Sequence, residues 1–413
     1  MDKITLTNAH VLDAKNGRVD SGYNVEITGD TISGVSKSAP GKDSRVVDCG
    51  GRIVMPGLID VHVHILAPGR GRSSAYPDML PSYMHYHSTT VLRDFLMRGF
   101  TTVRDAGGAD YGHKLAVDRG LGAGPRLFVS GRGLSQTGGH GDKRSRGDLT
   151  ELSREVYVNS NTCQVADGVE GVRLATRNEL RLGADQIKVL ASGGVASEAD
   201  PIDHLQYSMD ELKAIVDEVT RAHTYAFAHA YTGDAIERCL EAGMRTIEHA
   251  NLIDDKRVRM MAEAGAYMVP TLVTYQVLAE KGPSMGLTPV QMEKVQIVLE
   301  AGTRSLELAA HYGVKMGIGT DLIGKTTEDQ PRELLIRGEI LPPADVIRSA
   351  TLVGAEVVRQ EGRLGVIAPG AKADLLVVDG NPLEDLSLLT DEGKHLSAIM
   401  KGGEFVKNRI GQG

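Results

Sequence analysis

Cysteine is scarce in this chain. The three residues, Cys49, Cys163 and Cys239, lie far apart, are odd in number and form no CxxC pair. This argues against a disulfide framework and against a cysteine-based metal or redox motif. They read instead as small buried residues. A basic excess is also missing: 46 Lys and Arg against 54 Asp and Glu leave a net charge of -8. No nucleic-acid partner is expected, because such a binder carries a basic face that displaces counterions. No run approaches the roughly 18 apolar residues of a membrane span, and the first residues lack the basic and then apolar regions of a secretory leader. No membrane association is expected, and the cytoplasm is the expected location, although a leader already removed would leave no trace. P-loop and dinucleotide fingerprints do not occur in the strand and helix context they need. What remains, 41% hydrophobic and 24% charged residues, is near the globular average and excludes a disordered chain or a coiled coil.

At 413 residues the chain exceeds the usual single domain, yet α/β barrels routinely run past about 200 residues as one unit. The first fifty or so residues alternate short β-type runs with turns, as in Ile4-Thr5-Leu6, Val25-Glu26-Ile27 and Arg45-Val46-Val47, with no helical pattern. The last fifty echo them in Ala373 to Asp379 and Ala398 to Val406. Isolated two- or three-stranded pieces are marginal alone, so both ends are expected to share one small β-sandwich, residues 1–56 and 362–413. Two separate flaps are the alternative. Between them, residues 57–361 repeat strand, loop and helix. Eight strand candidates start at Leu58, Thr101, Arg126, Gln186, Ala226, Thr246, Tyr267 and Val314. Ser208 and Glu211 form a capping box for a helix running to His223, and Gly183, Gly243, Gly265 and Gly313 stand where helix C-terminal glycines belong. The fold class is therefore α/β, a TIM (β/α)8 barrel with a sandwich built from both chain ends. Its active site must lie on the loops leaving the strand C-terminal ends.

In Pro56-Gly57-Leu58-Ile59-Asp60-Val61-His62-Val63-His64, His62 and His64 are two apart on a strand, so both side chains point into the barrel mouth. Two neutral imidazoles on one strand can bind a divalent ion at about 2.0–2.1 Å each. H-x-H alone is weak, and a hydrogen-bonded pair would look the same. Further ligand types, however, fall at other strand ends: Lys188, His229, His249 and Asp321. Lys188 lies between Ile187 and Val189, where an ammonium would be costly. A lysine shifted toward neutrality can add carbon dioxide and become a carbamate, an anion able to bridge two cations; an ion-paired interior lysine is the plainer reading. A second H-x-H, His85 and His87, lies in the connection from Ala67 to Ser88 and reads as lid or surface. Met260-Met261 reads as a helix face.

At this point the sequence resembles the amidohydrolase superfamily over nearly its whole length. The matching pieces are the Pro56 to His64 segment, Lys188, His229, His249, Gly319-Thr320-Asp321 and the closing Gly362 to Leu375 segment. Thr101 to Gly108, Gly138-Gly139-His140-Gly141-Asp142, Lys188 to Val195 and His229-Ala230-Tyr231 resemble the prolidase and carboxypeptidase-like branch. That branch includes enzymes acting on Xaa-Pro dipeptides, N-acyl amino acids and ochratoxin A.

The resemblance implies two zinc-like divalent ions. His62, His64 and Asp321 would hold the first, His229 and His249 the second, and carboxylated Lys188 would bridge them. It implies attack on an amide carbon by a hydroxide shared between the ions, whose charge lowers the pKa of water from about 15.7 toward neutrality. Asp321 would take the proton and return it to the leaving nitrogen. His140 and Tyr231 would donate to the developing oxyanion, a contribution of roughly 2.7–4 kcal/mol per donor. The partner is then a small-molecule substrate with a free carboxylate, for which His140, Tyr231, Arg104 and Lys325 are candidate contacts. A homo-oligomer is the expected state. The competing reading is a cyclic amide hydrolase or deaminase such as an imidazolonepropionase-like enzyme. It is less favoured because mononuclear members generally lack the strand-four lysine and deaminases place a Glu soon after the strand-five histidine, where Ala230 to Asp234 stand here.

Overall fold

Leu375–Val378 is apolar at all four positions, the mark of a strand covered on both faces. The computed structural model, which describes residues 2–67, 80–144, 147–148, 156–157, 162–197 and 200–411, shows what covers it. Leu375 and Val377 enter a small core with Leu6, Val25, Ile27 and Ile32, whereas Leu376 and Val378 enter the large core of the barrel. The neighbouring strand Ile53–Pro56 divides in the same way, Val54 to the small core and Ile53 and Met55 to the large one. It pairs in parallel with Lys3–Asp13 and antiparallel with Leu375–Val378. Strands from both chain ends thus form one eight-stranded sheet, and the two-flap alternative is set aside. A bridge between Thr31 and Lys372 folds the sheet back around its own core.

The barrel strands are those the sequence predicts. Leu58–Val63, Phe100–Asp105 and Arg126–Phe128 pair in parallel, as do Ile187–Leu190, Ala226–Thr232, Thr246–Leu252 and Tyr267–Val269. After Phe128 the third strand breaks and resumes as Gly133–Ser135, which pairs with the fourth. The eighth segment joins through a bridge between Met268 and Met316, and the Val61 N–H donates to the Ile318 carbonyl at 2.7 Å. That bond closes the ring.

Helix Met209–Arg221 has the expected Ser208/Glu211 capping box and buries Leu212, Ile215 and Val219. Gly243 and Gly265 end the next two outer helices with φ of 92° and 63°, values that suit glycine. One expectation needs correction. His85 and His87 do not lie in a loop: Pro81–Met97 is a helix that buries Met84, Ser88, Val91, Leu92 and Phe95. Tyrosine and histidine on its outer face mask that helical spacing in the sequence; residues 68–79 of the same connection lie outside the described residues. Cys49 and Cys239 are buried, and Cys163 is half-buried.

Candidate metal centre

His62 and His64 end the first barrel strand, and each has one ring nitrogen fixed by the protein. His62 Nδ1 pairs with Glu248 Oε2 at 2.6 Å, which leaves Nε2 facing Asp321 Oδ1 at 3.5 Å. His64 Nδ1 donates to the Gly107 carbonyl at 3.1 Å, and its Nε2 lies 3.2 Å from the same Asp321 oxygen. The three side chains offer ligand atoms within 4.8 Å of one another. Burial alone would raise the Asp321 carboxyl, but His62 and His64 outweigh it and hold the group well below the usual carboxylate range. Asp321 sits in a left-handed backbone conformation, φ 52°, and its N–H donates to the His62 carbonyl at 2.8 Å.

The fifth and sixth strands bring the other histidines to the same mouth. His249 Nδ1 contacts Thr271 Oγ1 at 2.8 Å and the Tyr275 hydroxyl at 2.9 Å; its ring centroid lies 5.2 Å from His62 and 4.6 Å from His229. His229 Nε2 donates to the Gly193 carbonyl at 3.2 Å. Burial pushes both imidazoles well below the ordinary histidine value, so both are neutral, the form that binds metals. Lys188, on the fourth strand, is buried with its Nζ over the Phe227 ring, 5.2 Å from the centroid. Burial pushes its pKa down to about 8, which leaves a fraction of neutral amine at physiological pH.

This donor set fits divalent ions. Imidazoles each anchored through the second ring nitrogen, an ionised carboxylate and an interior amine are hard-to-borderline ligands held in orientation.

Residues 53–406 match the amidohydrolase family. The chain belongs to the amidohydrolase family. The matched region runs from the strand Ile53–Pro56 into Glu404–Asn408. Ochratoxinase of Aspergillus niger is 31% identical over 371 residues, 86% of this chain and 76% of that protein. A prolidase solved in complex with N-methylphosphonate-L-proline is 47% identical, with a TM-score of 0.95 over 98% of this chain and 100% of that one. A Xaa-Pro dipeptidase with methionine bound in its active site is 28% identical, with a TM-score of 0.87 over 98% and 100%.

Glu248, which the sequence does not mark, also lies against a candidate ligand of this amidohydrolase. Glu248 and His249 are adjacent on one strand and should face opposite ways, yet both reach His62. The left-handed turn of His249 and Ala250, φ 73° and 54°, breaks the alternation. Glu248 Oε1 also accepts from Arg104 at 2.8 Å, and Arg104 Nε donates to the Val61 carbonyl at 2.6 Å. Arg104 is therefore spent beneath the site and is withdrawn as a substrate contact, since its side chain is 0% exposed. We expect Glu248→Gln to destabilise the protein by roughly 3 kcal/mol, because it strands a buried guanidinium. Urea unfolding checks this, and a loss below about 1 kcal/mol would contradict it.

The sequence-predicted donors reach the same mouth. Tyr231 stacks on His249 at 4.9 Å and shares a 2.8 Å hydrogen bond with the Tyr275 hydroxyl. His140 stacks on His229 at 4.6 Å, and its Nδ1 pairs with Asp200 Oδ2 at 2.8 Å. Gly194 permits that ring, because a Cβ there would lie 2.1 Å from His140. Lys325 is exposed, four residues past Asp321.

Proposed function

We propose that this amidohydrolase is binuclear and cleaves the amide bond of an N-acyl amino acid or dipeptide, with Xaa-Pro dipeptides and ochratoxin-type amides in its range. The observation that carries the reading is the convergence of His62, His64, His229, His249 and Asp321 at one barrel mouth, with Lys188 buried on the neighbouring fourth strand. His62, His64 and Asp321 would hold one ion, His229 and His249 the other, and carboxylated Lys188 would bridge them; zinc suits these ligands. When bound, such ions lower the pKa of water and polarise a carbonyl oxygen.

The chain's own groups then do the rest. Asp321, held ionised by His62 and His64, accepts the proton of the attacking water and delivers it to the leaving nitrogen. Burial pushes the Tyr231 hydroxyl far above its ordinary value, so it stays protonated and donates to the oxyanion. Asp200 holds His140 Nδ1 and so fixes the ring, which is the second donor proposed for the same task.

An enzyme that releases a free amino acid must pair a carboxylate in a partly desolvated mouth. Amidating or esterifying the substrate's terminal carboxylate will therefore lower kcat/KM at least roughly tenfold, about 1.4 kcal/mol of transition-state binding. A screen of N-acyl amino acids, Xaa-Pro dipeptides and ochratoxin A with metal-replete enzyme measures it. Neutral amides cleaved as fast as free acids would overturn the carboxypeptidase-like part of the reading and leave metal-dependent hydrolysis standing.

A further inference from the structure

Lys294 lies on the helix Pro289–His311 and is nine-tenths buried. Its ammonium donates to three backbone carbonyls, those of Gly194 at 3.1 Å, Ser197 at 2.9 Å and Asp200 at 2.8 Å. One helical turn earlier, Gln291 Nε2 donates to the Ala196 carbonyl at 2.6 Å. All four carbonyls belong to the loop that leaves the fourth barrel strand. The ends of that loop pair through the Ser192–Leu205 bridge, but none of these four carbonyls belongs to a strand ladder, and a buried carbonyl without a donor is costly. A lysine carries three donors on one atom, so a single side chain satisfies three acceptors together. Val195 and Ile202 of the loop pack with Val295 and Val298 of the same helix, which seats the loop on the face that bears Lys294.

The loop touches the site twice. The Gly193 carbonyl holds His229 Nε2, and Asp200 Oδ2 holds His140 Nδ1 at 2.8 Å while also accepting the Gly194 N–H at 2.9 Å. Asp200 is 2% exposed, so its carboxylate takes its place from the loop backbone and not from solvent. The backbone of Asp200 is one of the three points that Lys294 grips.

We infer that Lys294 is a positioning residue: by clamping three carbonyls of this loop it fixes Asp200, and through Asp200 the direction of the His140 ring. The inference rests on the proposed amide hydrolysis for its effect on rate, and on geometry alone for the clamp.

Two measurements on the full-length protein with metal in excess test it. Hydrogen exchange of peptides spanning residues 191–206 will be at least roughly tenfold faster in Lys294→Met, while the other barrel strands keep their protection. Turnover of a Xaa-Pro dipeptide will fall at least roughly tenfold in kcat, and the same substitution placed on His140→Ala will add less than about threefold. Non-additivity of that kind separates positioning from general loosening, which would lower both backgrounds equally. Lys294→Gln, which keeps two N–H donors, will shift both readouts the same way by less, and it carries the test if Lys294→Met does not fold. Unchanged exchange in 191–206 overturns the clamp, and additive losses overturn its role through His140. If the unmodified enzyme cleaves no amide, the proposed function falls while the exchange arm still decides the clamp.

Discussion

Lys188→Ala will lose amide hydrolysis by roughly 10²–10³-fold, at least the cost of deleting one stabilising donor from an active site. Desolvation brings the pKa of the Lys188 ammonium down to about 8, and the neutral amine is the form that adds carbon dioxide. The resulting carbamate would supply an anion that offsets the mutual repulsion of two bound cations. Alanine removes that anion and leaves the four histidines in place. Formate, acetate or propionate with added metal will therefore recover part of the rate by occupying the vacated position. Metal analysis of the unmodified enzyme will give about two ions per chain, and the variant will bind the second more weakly. A fully active Lys188→Ala, or an unmodified enzyme that is fully active with a single ion, would remove the bridge.

Asp321→Asn will cost still more, near the upper end of the ~10²–10⁴-fold range for general acid–base groups, because the same carboxylate is also a proposed ligand. Asparagine is the informative replacement here. The position holds φ at 52°, a conformation Asn accepts nearly as readily as Asp whereas Ala does not. Asn therefore removes the charge without straining the turn that brings residue 321 back to His62. The loss will fall on kcat more than on KM, since proton transfer belongs to the transition state. Turnover within about tenfold of the parent, with two ions bound, would exclude Asp321 as the base.

What the sequence disclosed, and what it hid, follows from how far each residue's role depends on neighbours. The barrel strands were legible because β-branched runs of four or five residues carry their own periodicity. The ligands were legible because His, Lys and Asp are rare at the ends of such runs. The shared sheet was legible as two similar compositions, although the sequence does not state that Ile53–Pro56 would be the strand that joins them. Glu248 stayed hidden because strand alternation turns it away from His249, and only the local backbone twist turns it back. Arg104 looked available because its partner lies on a strand far along the chain. Asp200 comes from an irregular loop, where no periodicity says which way a side chain faces.

The sheet shared by both chain ends has a consequence for synthesis. Ile53–Pro56 meets Leu375–Val378 across ~320 positions, and at ~5–20 residues per second the ribosome needs roughly 16–64 s to make that stretch. Through that interval one edge of the strand waits without its partner and Val54, Ile53 and Met55 lack part of the wall that will cover them. The large apolar core is likewise incomplete until Leu376, Leu396 and Ile399 emerge. Folding is thus ordered by the direction of translation: the barrel can assemble strand by strand, but its last wall is laid only when the final strands arrive. The exposed edge in the meantime is a hazard that a nascent chain of this design must survive.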